Sequence, residues 1–384
     1  MRECAWIRSF SPAEEEVWCG ADRVTLNRIA HIPKDMITSS ATGPKFSDAV
    51  AGYFAAKQRH PDTALIGQSE HLYRITFRLF EQFARDPPVA AIDRDVADAF
   101  LEAIKKLPAN WGKSTNAREK TLAEVLEQSG NAETFISNKT VNRHISALSS
   151  LFKWLQRNRA KFNFKGDNPF LNQSRDEAST GATRWLPYTI EELNRLFAGE
   201  PPSELRWIMF VALFTGMRLN EICQLHKDDV RREEGIWYLN VGNEYEGQRI
   251  KSEAGFRRIP IHSELLKAGL VDYQKSLANG QLWPGLKPGG PDRKLSWYVT
   301  RQFTTYRRKV GITRARVNFH SLRKNVLTCL DNADSVSQAD VAAIVGHERG
   351  FTFGRYSEGN GLRALQQIVE RVKYTGLRLS GSDP

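Results

Sequence analysis

The sequence has few cysteines and no long apolar run. Its four cysteines are widely spread among 384 residues, and none forms a C-x-x-C pair or stands with histidine at zinc-finger spacing. We therefore expect no disulfide framework and no cysteine-based zinc site, and a reducing, cytoplasmic location. No window approaches about 18 consecutive apolar residues, and the first residues lack the apolar core of a secretory signal. We expect neither a membrane span nor a cleaved leader.

Positive charge, by contrast, is in excess. The chain has 55 Lys and Arg against 44 Asp and Glu, which gives a net charge of +11 and a pI near 9.5. The excess is concentrated in residues 181–384, which carry 30 Lys and Arg against 22 Asp and Glu. Such a balance points to a polyanionic partner, with nucleic acid as the first candidate.

Periodicity and composition divide the chain into four parts. Residues 1–41 have weak periodicity and no assigned role, whereas helical periodicity over 42–160 predicts a small helical bundle. The polar segment 161–183, which contains Gly, Asn-Pro and Ser-Thr-Gly, is typical of an interdomain linker. Residues 184–384 form a second domain that ends in a tail helix.

The second domain is predicted to be mainly α-helical with a small β-sheet. The apolar run from Trp207 to Phe214 indicates a buried core helix, because it is too short to span a membrane. Residues 236–241 and 256–261 have the composition of short strands, which form a hairpin or small sheet. The expected fold is therefore a helical domain followed by a mixed α/β domain.

Six polar residues of the second domain have the chemistry of a phosphodiester site. In chain order they are Arg218, Lys251, His320, Arg323, His347 and Tyr356. Guanidinium groups bind phosphate oxygens and stabilise a pentacoordinate transition state. A tyrosine hydroxyl can attack phosphorus, while histidine and lysine can move protons. The sequence places no carboxylate cluster beside them, so we expect phosphoryl transfer without a metal ion or cofactor.

The order and surroundings of these residues resemble the catalytic domain of tyrosine recombinases, the phage integrase family. The family pattern is Arg, Lys on a β-hairpin, His-x-x-Arg, His or Trp, then Tyr. The local sequences that agree are Thr215–Arg218, His320–Arg323, Val345–His347 and Arg355–Ser357. The resemblance covers roughly residues 185–375. It extends more loosely over 45–160, which resembles the helical core-binding domain of these enzymes.

The resemblance implies a site-specific DNA recombinase or integrase that cleaves and rejoins DNA without metal or ATP. Tyr356 is then the nucleophile that forms a 3′-phosphotyrosyl intermediate. Arg218 and Arg323 bind the non-bridging phosphate oxygens, and Lys251 is the general acid for the departing 5′-oxygen.

Three further residues receive supporting roles from the same resemblance. His320 accepts the proton of the attacking tyrosine, and His347 hydrogen-bonds the phosphate. Glu221, three residues after Arg218, is expected to orient one of the site residues.

The implied partner is double-stranded DNA, bound by a homotetramer on synapsed sites, with accessory DNA-bending proteins as further partners. Lys139, Thr140 and Arg143 lie near a predicted helix start, where positive charge and backbone N–H groups favour phosphate. They are our candidates for DNA contacts. The tail helix within 361–376 has an apolar stripe that docks either on a neighbouring protomer or on its own domain.

Three other functions are weighed against recombination. One is a topoisomerase IB-like enzyme that relaxes DNA with the same site, and another is a non-catalytic DNA-binding protein with a relic site. The third is a basic helical protein that binds RNA or ribosomes. The presence of all six catalytic groups favours an enzyme over a relic, and it makes a chance match in an RNA-binding protein improbable.

Overall fold

The computed structural model describes residues 42–59, 65, 67–111, 120–129, 132–174, 185–250, 253–278, 280–290, 292–347 and 361–379. The chain divides into two compact units, residues 1–180 and 181–384. The amino-terminal segment 1–41, Lys251 and Tyr356 lie outside the described residues. None of the described helices is both long and apolar enough to cross a membrane.

The first unit is built from helices. They are α1 (Phe46–Gln58), α2 (Gly67–Ala84), α3 (Arg94–Ile104), α4 (Leu122–Gln128), α5 (Asn138–Arg157) and α6 (Arg159–Phe162). Side-chain caps fix three of the starts, because Asp93 accepts from the Val96 N–H, Thr121 from the Glu124 N–H and Ser137 from the Thr140 N–H. Helix α5 packs against α1, α2 and α3, so it forms the centre of the unit.

Aromatic side chains fill the core of this unit. Phe77 and Phe80 on α2, Phe100 on α3 and Phe152 on α5 are at most 2% exposed. The rings of Phe80 and Phe100 meet edge to face with centroids 5.0 Å apart, a favoured aromatic geometry. The helical periodicity that predicted a bundle here thus identifies residues of its packed core.

The segment after α5 packs on the first unit as far as it is described. Phe162, Phe164 and Phe170 are buried in the same aromatic core. Asn168 donates its side-chain amide to the Ser149 carbonyl at 3.1 Å, and Gln173 donates to Asp98 at 2.6 Å. The first part of the segment predicted to be a linker therefore contributes to this core. Its phenylalanine rings are buried against the bundle, although the composition of the segment is polar.

The second unit surrounds a small sheet with helices. Its helices are α7 (Ile190–Ala198), α8 (Ser203–Thr215), α9 (Leu219–Cys223), α10 (Ser263–Lys267), α11 (Leu270–Ser276), α12 (Ser296–Lys309), α13 (His320–Asp331), α14 (Gln338–Val345) and α15 (Leu362–Val369). Its strands are β1 (Val230–Glu233), β2 (Ile236–Val241) and β3 (Arg257–Pro260). The described part of the chain is therefore mostly helical, as the sequence predicts.

The sheet is antiparallel with the order β1-β2-β3. Glu234 and Gly235 join β1 to β2 with φ of 50° and 82°, the two positive values of a type I′ hairpin turn. Strands β2 and β3 match the two predicted strands, whereas β1 was not predicted. Strand β1 lies at an edge of the sheet and contains a single apolar residue, Val230. Its sequence therefore lacks the apolar pattern by which a strand is predicted.

The core of the second unit is organised around α8. This helix is buried on all sides from Trp207 to Thr215, as expected for the central helix of a globular unit. Helix α13 packs along it. The helix ends at Gly216, whose φ of 66° is the left-handed conformation of a helix C-cap. Arg218 follows this helix end by two residues, so the packing of α8 in the core fixes the position of the Arg218 backbone.

The described tail packs on its own unit. Leu365 and Val369 of α15 are buried in the main core, and Leu362 packs with Ile236 and Tyr238 of β2. The described part of the tail helix therefore buries its apolar side chains against its own domain.

Candidate active site

Arg218 is the N-cap of helix α9. Its N–H donates to Glu221 Oε2 at 3.0 Å, so the carboxylate three residues later caps the helix start. Its guanidinium donates through Nη1 to Glu221 Oε1 at 2.7 Å and through Nη2 to the Gly346 carbonyl at 2.9 Å. The side chain is still 39% exposed. The Arg218 guanidinium is thus hydrogen-bonded through Nη1 and Nη2, while part of the side chain is exposed to solvent.

Arg323 lies on α13 and is buried, with 2% exposure. Its Nη1 donates to the carbonyls of Gly216 at 2.6 Å and Val345 at 2.7 Å. Among the described residues its buried Nη2 has no hydrogen-bond partner, an arrangement that costs roughly 1–3 kcal/mol. Burial and the nearby charges of Arg218 and Arg257 lower the pKa of Arg323 to about 9. This pKa is still above neutral pH, so the side chain remains charged. Such an unsatisfied cation is suited to an anionic ligand.

Arg257, the first residue of β3, is a third arginine of the site, buried like Arg323, that our sequence analysis did not assign to it. It donates through Nε to the Ile344 carbonyl at 2.8 Å, through Nη1 to the Gly255 carbonyl at 2.9 Å, and through Nη2 to Glu221 Oε2 at 2.7 Å. Its neighbour Arg258 points to the other face and pairs with Glu233. The signal that could have found it is the pair of adjacent arginines in a strand, since only one of them can face inward.

The three arginines converge on the carboxyl end of α14. Successive carbonyls each accept a different guanidinium: Ile344 from Arg257, Val345 from Arg323, and Gly346 from Arg218. The last carbonyls of a helix lack partners within the helix and lie at the negative end of its dipole. They therefore stabilise a cluster of like charges that would otherwise repel one another.

Two histidines lie beside this cluster. His320 is one turn before Arg323 on α13, and His347 directly follows Gly346. Loss of hydration, with the charges of Arg323 and Lys324, lowers the pKa of His320 to about 4. Burial and the charges of Arg323 and Arg218 also lower the pKa of His347. Both imidazoles are neutral at pH 7, so each can accept a proton or a hydrogen bond.

Glu221 is the carboxylate within this cluster. Burial raises its pKa, but Arg257 and Arg218 outweigh that effect, so the net pKa lies below the usual value. It remains ionised between the two arginines. Within the described ranges no group of three or more His, Cys, Asp or Glu residues is arranged to bind a metal ion. The site is a concentration of guanidinium and imidazole groups, which is the chemistry that binds a phosphodiester.

The structure brings together the predicted site residues that it describes in the second unit. Arg218, His320, Arg323 and His347 share the neighbourhood of the α14 carboxyl end, with Glu221 among them. The remaining two predicted residues, Lys251 and Tyr356, lie outside the described residues.

The predicted DNA contacts lie in the first unit. Lys139 and Arg143 are exposed on the first turns of α5, and Thr140 between them is half-buried. The Thr140 N–H donates to Ser137 Oγ, so one of the backbone donors at this helix start is already capped.

Most of the second unit matches a known protein family. A model of the phage integrase family matches residues 189–361. A comparison with curated protein sequences finds no match.

A lambda integrase (75–356) dimer bound to a COC′ core site is 18% identical. The match covers 79% of this chain and 96% of that one, with a TM-score of 0.51. A lambda integrase tetramer bound to a Holliday junction is 17% identical and covers 90% and 83%, with a TM-score of 0.52. The Tn1549 transposon integrase in complex with transposon right end DNA is 16% identical and covers 79% and 92%, with a TM-score of 0.53. At these identities the likeness is one of fold.

Proposed function

We propose that this chain, which belongs to the phage integrase family of tyrosine recombinases, is a site-specific DNA recombinase that works through a 3′-phosphotyrosyl intermediate. The observation that carries the proposal is the convergence of Arg218, Arg323, His320 and His347 at the carboxyl end of α14, inside the segment that matches the family. A cationic site with neutral imidazoles binds a phosphodiester and moves protons, without a carboxylate cage for a metal ion.

In this proposal the scissile phosphate lies against Arg218 and Arg323. Arg218 is partly exposed, and Arg323 has a buried donor without a partner in the described structure, so both have donors to offer to non-bridging oxygens. These donors are fixed in advance by the helix carbonyls. The site therefore need not reorganise as negative charge develops on the pentacoordinate phosphorus.

The chemical step exchanges one phosphate ester for another. Tyr356 Oη attacks phosphorus, a bond forms between them, and the bond from phosphorus to the 5′-oxygen breaks. The tyrosine proton goes to His320, which is neutral and able to accept it, and Lys251 gives a proton to the departing 5′-oxygen. His347 donates a hydrogen bond to the phosphate. A 5′-hydroxyl of a partner strand then attacks the phosphotyrosine and reverses the sequence, so the bond energy is conserved and no ATP is needed.

The same proposal assigns DNA binding to both units. The net positive charge of the second unit favours duplex DNA, and Lys139, Thr140 and Arg143 at the start of α5 offer contacts from the first unit. Two neighbours with the same fold are described as a dimer on a core site and a tetramer on a Holliday junction. We therefore propose a homotetramer on synapsed DNA, acting in the cytoplasm, with accessory DNA-bending proteins as additional partners.

The proposal is tested by trapping the covalent intermediate. The probe is a library of duplexes with a randomised core, each nicked a few nucleotides downstream of the cleavage position, so that the short fragment carrying the 5′-hydroxyl diffuses away. We expect an adduct that survives denaturation, and sequencing of the trapped duplexes should give one shared motif. If the wild-type protein yields no adduct with any duplex, the proposal is wrong. Adducts without a shared motif would indicate a DNA-relaxing enzyme instead.

Two variants identify the nucleophile. Tyr356→Phe should abolish the adduct, because the attacking oxygen is removed. Tyr298→Phe is the matched control, since Tyr298 is a tyrosine of the same unit with 47% exposure and could attack DNA nonspecifically. Its variant should keep the adduct.

The role of Lys251 is tested by changing the leaving group. Loss of a general acid should slow cleavage of ordinary DNA by roughly 100-fold or more in Lys251→Ala. A duplex with sulfur at the 5′-bridging position needs little proton donation, because a thiolate is a far better leaving group than an alkoxide. Wild type and Lys251→Ala should therefore cleave it at similar rates. An equal defect on both substrates would assign Lys251 a different role.

A further inference from the structure

Arg257 connects three separate segments of the candidate site. Its guanidinium binds the Gly255 carbonyl of its own loop, the Ile344 carbonyl at the end of α14, and Glu221 beside Arg218. Its side chain is only 6% exposed, so it is not placed to bind substrate as Arg218 is. Its function must therefore act through the groups that it touches.

The most informative contact is with Glu221. One carboxylate oxygen, Oε1, accepts from Arg218 Nη1, while Oε2 accepts from Arg257 Nη2 and from the Arg218 backbone N–H. A free carboxylate beside an arginine prefers to bind it through two parallel hydrogen bonds. Arg257 occupies the oxygen that such a pair would require, so the Arg218 guanidinium binds Glu221 through Nη1 alone.

The charges lead to the same conclusion. Without Arg257, the full negative charge of Glu221 would act on Arg218 and reduce its attraction for a phosphate. With Arg257 present, one carboxylate is shared between two guanidinium groups, and a net positive charge remains. Arg257 also lies against the turn that presents the Gly346 carbonyl, the other acceptor of Arg218. A Cβ built on Gly346 would lie 2.7 Å from Arg257 Nη1.

We propose that Arg257 is a positioning residue that keeps Glu221 from neutralising Arg218, so that the Arg218 guanidinium stays available to the scissile phosphate. This inference rests on the proposed function, because it assigns Arg218 to phosphate binding. It adds a residue whose contribution is made through Glu221 and not through contact with DNA.

The first experiment measures single-turnover cleavage of a nicked duplex carrying the motif recovered by adduct trapping. Arg257→Met should lower the rate about 100-fold, the scale expected when a binding group is misplaced. Arg257→Lys keeps the charge but loses the planar fork, and we expect an intermediate loss of roughly 10-fold. The matched control is Arg258→Met, which removes the adjacent exposed arginine and should stay within about 3-fold of wild type.

The decisive variant is the double substitution Arg257→Met with Glu221→Gln. Glutamine cannot neutralise Arg218, so the second change should restore at least about 10-fold of the rate lost in Arg257→Met. A purely structural role predicts the opposite, because two damaged contacts should be no better than one. If the double variant cleaves no faster than Arg257→Met, the inference is wrong.

A measurement without DNA separates this inference from the proposed function. Inorganic phosphate is titrated into each variant, and binding is followed by the NMR signal of the His347 ring. Arg257→Met should weaken phosphate binding about 10-fold, and Glu221→Gln should restore it. If this pattern is found but no duplex gives an adduct, the proposed reaction fails while the role of Arg257 stands. Equal phosphate binding by wild type and Arg257→Met, or no binding by wild type, would overturn the inference.

Discussion

Replacing Gly346 by alanine should damage the candidate site through a single methyl group. Gly346 has φ of 69°, in the left-handed region, and caps the carboxyl end of α14. The added Cβ would lie 2.7 Å from Arg257 Nη1, 2.9 Å from its Cζ and 3.1 Å from the Ala254 carbonyl oxygen. The Arg257 guanidinium cannot move away without losing a contact, because each of its three nitrogens donates to an acceptor.

The expected cost has two parts. A non-glycine residue in the left-handed region costs roughly 1–2 kcal/mol. Displacing the Arg257 guanidinium breaks at least one hydrogen bond of a charged group, which adds roughly 1.5–3 kcal/mol. We therefore expect Gly346→Ala to lower the free energy of unfolding of the second unit by about 4 kcal/mol.

Gly235→Ala provides the matched control. Gly235 has a similar positive φ of 82°, but nothing lies within 4 Å of its Cβ position. It should show the backbone cost alone, about 1–2 kcal/mol. At roughly 2–4 °C per kcal/mol for a unit of this size, calorimetry should give a decrease in Tm of about 12 °C for Gly346→Ala and about 4 °C for Gly235→Ala.

Activity supplies the second readout. At a temperature where both variants are folded, Gly346→Ala should form the covalent adduct more slowly than wild type, since it displaces Arg257 and the Gly346 carbonyl that binds Arg218. Gly235→Ala should form it at the wild-type rate. Equal losses of stability in the two variants would refute the argument that Arg257 is fixed in place.

Three other predictions concern pH and metal ions. The pKa of buried His144 is lowered to about 4 by burial and by Arg143. The unfolded chain therefore takes up this proton first, and stability of the first unit should fall by about 3 kcal/mol as pH decreases from about 6.5 to 4. Denaturant titrations should show this loss, and His144→Leu should remove it; an unchanged pH dependence in that variant would contradict the assignment. Because the pKa of His320 is lowered to about 4, adduct formation limited by this base should decline only as pH approaches that value, and a midpoint near 6.5 in the pH–rate profile would argue against it. Finally, a chelator such as EDTA should leave adduct formation unchanged, and a strict requirement for Mg²⁺ would refute phosphate activation by arginines alone.

Much of the candidate site was predictable because its residues stand in short local patterns. His320 and Arg323 are three residues apart on one helix, so they share a face as soon as α13 forms. Glu221 follows Arg218 by the spacing of a capping box, which brings carboxylate and guanidinium together within one turn. Helix geometry alone fixes these pairs.

Other features depended on contacts that no local pattern encodes. Whether Arg257 or Arg258 faces inward is decided by which side of β3 packs against α14 and α15. The phenylalanines at 162, 164 and 170 lie in a segment of linker-like composition, yet they are buried because the bundle offers them an apolar surface. Strand β1 has almost no apolar signal, since only the adjacent β2 specifies it.

The sequence by itself indicated the identity and order of the candidate reactive groups, the helical character of both units, and strands β2 and β3 of the sheet. Only the tertiary structure decided that three arginines meet at one helix end, because their acceptors are distant in the chain. Glu221 and Arg257 are separated by 36 residues, and Arg218 and Gly346 by 128. Burial alone would destabilise such a cluster of like charges, and the cluster is stable because the fold brings helix carbonyls and a carboxylate to it.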